Sequence, residues 1–383
     1  MERADPAARA FAIPRWMDTL GASIERHPRI WKVLGDLESA ALRERTEHLP
    51  IEAPIYICGL ARSGSTILLE CLARHPHVAT HAYRDFPLIY TPCFWNRFID
   101  RAQTGTPAAV ERAHGDGIEV TPDSPEAMEE VMWMGFLPHL HRLGVSDVLG
   151  AVSEFPPFEA FYRDHIRKLL WLRQGRRYLS KGNYNTTRIA YLARLFPDAR
   201  FVVPVRDPVA QVVSLLNQHR RFTAWHRRDP RARRYMRRLG HFEFGLDRRP
   251  VHTGDDKLAA TIRSAWLHDR DVEGYALSWD AVYGHVARLL EPDSLVRSSI
   301  LVVRHEDLRE APARTLQQVL EHCRLPFDPH LVRRLASGIR TPADAADVDA
   351  DTRELIRRLT AATAQRFGYA DDNPQSGLAR RSA

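Results

Sequence analysis

Lysine is nearly missing from this chain. Of its 55 basic Lys and Arg residues, only Lys32, Lys168, Lys181 and Lys257 are lysines, so each one invites the question of what it does. Cysteine is also scarce. Cys58, Cys71, Cys93 and Cys323 form no C-x-x-C pair, which argues against a zinc ribbon or a disulfide scaffold and for buried thiols in a reducing compartment. No apolar run approaches the length of a membrane span. Residues 1–30 carry charges throughout and lack the apolar core of a secretory signal, so a cytoplasmic location is expected. Internal repeats and low-complexity blocks are absent.

What remains is ordinary globular material. The 383 residues are 44% hydrophobic and 27% charged, enough for one large α/β domain with insertions, and the net charge of +7 favours anionic partners. The organising stretch runs from Ile55 to Leu69. Ile55–Cys58 reads as a buried parallel strand, Gly59 and Gly64 bracket a tight loop, and Ile67, Leu68, Leu69 and Leu72 continue at helical spacing. A strand, a glycine-bracketed turn and a helix N-terminus bring unpaired N–H groups together into an anion site. The spacing is that of a Walker A loop, but Ser65 stands where its lysine belongs. The cation has moved forward to Arg62, and Ser63, Ser65 and Thr66 supply hydroxyls. Such a loop can hold a 5′-phosphate group, yet it lacks the usual handle for a γ-phosphate.

The rest of the pattern is β-α-β. A short strand at Val78–Thr80 follows the loop helix, and a second strand ends at Lys181-Gly182-Asn183. A third, Phe201–Val205, leads into Arg206-Asp207-Pro208, with Asp207 as N-cap and Pro208 opening a helix. A last strand at Ile300–Val303 precedes Arg304. The expected fold is α/β: a central parallel sheet flanked by helices, a P-loop-like nucleotide-binding architecture. Residues 1–50 read as a helical lead-in, with dimerisation or membrane-surface contact as the lesser alternative. Residues 51–370 read as the α/β domain, carrying a basic lid around 219–255, and residues 371–383 as a disordered tail. Nine arginines lie between Arg220 and Arg238, interleaved with aromatics. A solvated lid beside an anionic ligand explains them more economically than nucleic-acid binding.

The loop Arg62-Ser63-Gly64-Ser65-Thr66, joined to Arg206 with Ser214 eight residues later, resembles the sulfotransferases that use 3′-phosphoadenosine 5′-phosphosulfate (PAPS). The style is closest to the tyrosylprotein and bacterial enzymes. The resemblance spans about residues 54–328 and includes Val303-Arg304-His305-Glu306-Asp307-Leu308. It implies that Gly59, Arg62, Ser63, Gly64, Ser65 and Thr66 hold the 5′-phosphosulfate and that Arg206, Ser214 and Arg304 hold the remainder of the nucleotide. It further implies that Lys181 neutralises the leaving oxygen and that no metal is needed. Some relatives carry an arginine one turn past the serine, where this chain has Gln218. For the general base, Asp85 beside Arg84 is preferred, then His81, with His139 and His141 as distant alternatives. The implied activity is sulfuryl transfer to a hydroxyl or amine of a small-molecule, lipid or carbohydrate acceptor, with protein tyrosine also open. A homodimer is compatible with it. A P-loop-type small-molecule kinase and a non-catalytic PAP- or PAPS-binding protein are the alternatives.

Overall fold

A computed structural model describes residues 13–102, 109–111, 119–339 and 348–369. Its centre is a five-stranded parallel sheet in the order β2-β5-β1-β6-β7: β1 Ile55–Cys58, β2 Val78–Ala79, β5 Arg177–Gly182, β6 Arg200–Val205 and β7 Ile300–Arg304. A separate antiparallel pair joins β3 Val110–Glu111 and β4 Glu119–Val120. The sheet is covered on both faces, which is why its strands are nearly continuous apolar runs. Ile55, Ile57, Leu179 and Val202 face the helices Ser65–Ala73 and Pro312–His322 through Leu68, Leu72, Leu316 and Val319. Tyr56, Cys58, Tyr178, Phe201 and Val203 face the opposite layer, where Phe158, Tyr162, Val212 and Trp279 pack.

After β1 the chain builds outward to β2 and β5, then crosses to β6 and β7 on the other side. The order therefore reverses beside β1, and ligands in such sheets gather at that switch point beyond the carboxyl ends of the strands. Register sharpens this. Ile57 lies level with both Lys181 of β5 and Val202 of β6, so the ends of three adjacent strands deliver the loop, Lys181 and Arg206 to one rim.

The lead-in forms the helices Arg15–Arg26, Pro28–Ala41 and Arg43–Thr46. It is tied to the body by a fully buried ion pair, Glu38 to Lys168 at 3.0 Å, whose ammonium also bonds the Gly35 and Tyr90 carbonyls. One of the rare lysines thus has a structural post. A helix that the sequence reading omitted, Ala350–Arg366, packs on Asp271–Leu289, with Phe367 against Tyr283. The expected tail, 371–383, lies outside the described residues. Among the described residues no helix is long and apolar enough to cross a membrane. All four cysteines are buried and unpaired, and burial pushes the Cys71 and Cys323 thiols up to about 12.

Candidate active site

The loop owes its shape to its neighbours. A Cβ at Gly59 would stand 2.9 Å from the Pro204 carbonyl, so only glycine lets β1 turn this close to β6. Gly64 has φ +99, and so does the work of a left-handed turn just before the helix Ser65–Ala73. Arg62 also has φ +70, a conformation that costs a residue with a side chain about 1–2 kcal/mol. Buried Gln211 holds the turn from the helix Pro208–Arg228: its amide donates to the Ala61 carbonyl (3.0 Å), and its oxygen accepts from Trp279 Nε1 (3.0 Å). The N-cap is Gly64, which has no side chain to cap the helix, and a helix N-terminus of this kind suits an anion. The Ser63 side chain is fully buried, and its hydroxyl lies under the loop, 3.1 Å from the Cβ position of Gly59.

The cations expected of the loop and of β6 do come together. Arg62 Nε donates to Ser214 Oγ (3.0 Å), and Arg206 reaches the Arg62 carbonyl at 3.4 Å. Asp207 caps its helix as the sequence suggests, accepting from Ala210 N at 2.8 Å, which aims Arg206 outward from the strand end. Burial, and then the Arg62 guanidinium, hold the Arg206 pKa below its usual value, the signature of two cations waiting side by side. Arg304 ends β7 level with Val205, and its guanidinium stacks on the Tyr369 ring, 4.4 Å from the centroid. The next residue meets the loop. A Cβ on Gly64 would stand 2.7 Å from His305 Nδ1.

On the β5 side, Lys181 stands near half-buried Glu126. Burial alone would raise that carboxyl; Lys181, the Tyr83 hydroxyl, the Ala127 N–H and His241 together hold it below the usual range. Glu126 was not legible as a site residue. It arrives because residues 122–126 run alongside 81–84, with Tyr83 N bonded to the Ser124 carbonyl (3.1 Å) and Glu126 N to the His81 carbonyl (3.0 Å). Beyond Lys181 lies a cavity of about 20 Å³, room for one water-sized group, lined by Glu129, Asn183, Asn185, His241 and Glu243 among others. Within it Glu129 accepts from the Tyr162 and Tyr178 hydroxyls, and Glu243 accepts from Asn183.

With this geometry in view, the comparisons decide the family. The model of the Sulfotransferase family matches residues 54–253, more than half of the chain. The chain belongs to the sulfotransferase family. No curated protein matches its sequence. Among solved structures it is similar to sulfotransferase STF1 from Mycobacterium tuberculosis H37Rv (14% identity, TM-score 0.47, covering 90% of this chain and 86% of that one). It is also similar to sulfotransferase STF9 from Mycobacterium avium (15% identity, TM-score 0.48, covering 86% and 80%). These likenesses are remote.

Two expected bases of this sulfotransferase occupy structural posts. Asp85 is wholly buried and accepts from Ala82 N (2.9 Å), Asn96 Nδ2 (2.7 Å) and Arg173 Nη2 (2.6 Å), with His81 Nδ1 at 3.4 Å. Burial alone would raise it, but His81 and Arg173 hold it down to about 2, so it is an anion locked in the interior. Its expected partner Arg84 turns away to Asp100 and Asp123. His81 is 1% exposed and stacked on His165. His141 is likewise engaged, 2.6 Å from Glu130, which Arg188 grips through both of its oxygens. His139 lies against Phe155.

In the arginine-rich stretch Arg220, Arg221, Arg227 and Arg228 are exposed, and the later arginines are paired. Arg234 and Arg238 pair with Asp18, Arg237 and Arg238 with Glu25, and Arg233 with Asp247. The first four of these contacts clamp the lead-in helix to the domain. Gln218 is buried in the helix that carries Ser214. Among the described residues no group of three or more His, Cys, Asp or Glu side chains is arranged to hold a metal ion.

Proposed function

We propose that this sulfotransferase moves the sulfuryl group of PAPS onto a hydroxyl or amine. The single observation that carries the donor reading is the meeting of Arg62, Ser214 and Arg206 at one rim, in a loop without a Walker lysine. Two adjacent guanidiniums in a partly desolvated site favour an anion between them, and a 3′-phosphate matches their fork geometry. The residues fit the nucleotide: the glycines leave the backbone bare where a Cβ would collide, and the uncapped helix N-terminus offers N–H groups to the 5′-phosphosulfate.

PAPS, when bound, supplies a sulfuryl group on a phosphate leaving group. In the transfer the acceptor's oxygen or nitrogen forms a bond to sulfur and the bridging O–S bond breaks. PAP leaves with that electron pair. Arg62, Lys181 and the loop N–H groups stabilise the charge it gains. Glu126, held ionised beside Lys181, takes the acceptor's proton. The carboxylates Glu126, Glu129 and Glu243 around this side favour neutral or cationic acceptors and disfavour anionic ones.

Calorimetric titration of the protein with PAP, ADP and 5′-AMP, with and without Mg²⁺, tests the donor reading. PAP should bind at least tenfold more tightly than either, independently of the metal, since one charge-assisted bond contributes about 1.5–3 kcal/mol. Metal-dependent binding of ADP in preference to PAP would replace this reading with a kinase.

A further inference from the structure

We propose that His305 belongs to the donor site and takes up a proton as the bisphosphorylated nucleotide enters. The inference rests on the donor reading above and deepens it.

His305 opens the helix His305–Glu310 directly after β7, one strand beyond β6. Its side chain packs on the turn of the phosphate loop, at the 2.7 Å approach to Gly64 already described. The residue is 5% exposed, and among the described residues neither ring nitrogen has a hydrogen-bond partner. A buried imidazole with both nitrogens unmet is costly unless something else satisfies it. Nothing in the catalytic scheme above uses it.

The charged groups around the ring are Arg62 from the loop, Arg206 from the end of β6, and Glu306 and Arg309 on its own helix. Glu306 is the one acid among these four, and it is committed elsewhere. One of its oxygens accepts from Asp207 N (3.1 Å) and the other from the Tyr369 hydroxyl (2.6 Å). Burial, then Arg206 and Arg309, with Arg62 adding to them, push the ring down to about 4, so it is neutral near pH 7. The same guanidiniums are the ones proposed to receive phosphate. An anion that satisfies them removes the repulsion and favours the imidazolium, which can then donate to it.

The sign follows from linkage. A group neutral in the free protein and protonated in the complex makes binding tighter as pH falls, with a limit of about tenfold per pH unit. PAP has a titration of its own near pH ~6, so a control lacking only the ring proton is needed. His305→Gln supplies it, because the amide can still hydrogen-bond but cannot be protonated in this range.

The experiment is calorimetry of PAP binding to the full chain between about pH 6 and about pH 8. It is done in pairs of buffers with different ionisation enthalpies, for wild type and for His305→Gln. The wild type should take up at least about half a proton more than the nucleotide's own titration requires. Its affinity should steepen accordingly toward low pH, and His305→Gln should lose both the excess and the extra slope. Equal proton counts in the two proteins overturn the proposal. Should the variant fail to fold, the wild-type count decides alone: uptake no larger than that of PAP itself also overturns it. PAP binding without excess uptake defeats this inference and leaves the donor reading standing, whereas no PAP binding at any pH defeats both.

Discussion

On the β6 side of the loop the described charged groups include Arg62, Arg206 and Arg309, with a neutral imidazole among them, and the acids beside them, Glu306 and Asp207, accept hydrogen bonds from other groups. On the β5 side they are Lys181 against Glu126, with Glu129 and Glu243 beyond. The two sides lie on either edge of the same short strand, β1. One side is an excess of cation kept partly dry, and the other a cluster of acidic side chains in which Glu126, against its burial, is held below the usual range by Lys181, the Tyr83 hydroxyl, the Ala127 N–H and His241. In the proposed transfer this asymmetry would draw the anionic donor to one side and leave the base on the other. Lys181 sits at the boundary, where a cation can serve both the leaving oxygen and the base.

The largest effects that could break this contrast fall on the β5 side. Glu126→Gln should lower kcat by about 10²–10⁴-fold and abolish the acid limb of the pH–rate profile, with PAP affinity nearly unchanged. In the wild type that limb should lie below 4.5, the ordinary glutamate value, because the carboxyl is held down in the folded protein. Lys181→Ala should cost about 10²-fold in kcat, again with PAP binding kept. Steady-state kinetics with ³⁵S-labelled PAPS measures both. A rise only in the donor KM would move Lys181 to the cationic side and erase the boundary role.

Next in size is Asp85→Asn, which separates a locked anion from a base. Removing one partner from a buried ion pair typically costs about 3–5 kcal/mol, so denaturant unfolding should show a marked loss of stability while the folded fraction still turns over. Because its folded pKa is depressed, Asp85 contributes full stability above 3.8, and that contribution is lost as pH falls through about 2. A stable Asp85→Asn protein without turnover would restore it as the base. The smallest effect is expected at the clamp. Arg237 and Glu25 are both more than 40% exposed, so Arg237→Ala should cost about 0.2–1 kcal/mol and leave PAP affinity unchanged. A tenfold loss of PAP affinity would make the arginine-rich stretch part of the donor side.

The donor side was far more legible in the sequence than the acceptor side, for a local reason. Gly59, Gly64, Arg62 and the Arg206-Asp207-Pro208 turn each sit at a strand end that an apolar run announces, so their neighbourhood follows from the β-α-β pattern. Glu126 reaches Lys181 only through irregular backbone pairing between 81–84 and 122–126, which has no periodicity to read. Asp85 looked available because a polar loop residue is usually solvated, yet Arg173, 88 positions later, neutralises it in the interior. His305 follows Arg304 in one polar stretch, and nothing local separates the two, because the ring partner of Arg304, Tyr369, is remote in sequence.

Recognition of a 3′-phosphate by the β6 side through Arg206 is tested most directly by the ratio of PAP to 5′-AMP affinity in the wild type and in Arg206→Ala, measured by calorimetry in one metal-free buffer. The account predicts a wild-type ratio of at least about tenfold that falls to near unity in the variant, with AMP affinity little changed. A wild-type ratio of one, or a ratio that Arg206→Ala leaves intact, would contradict it.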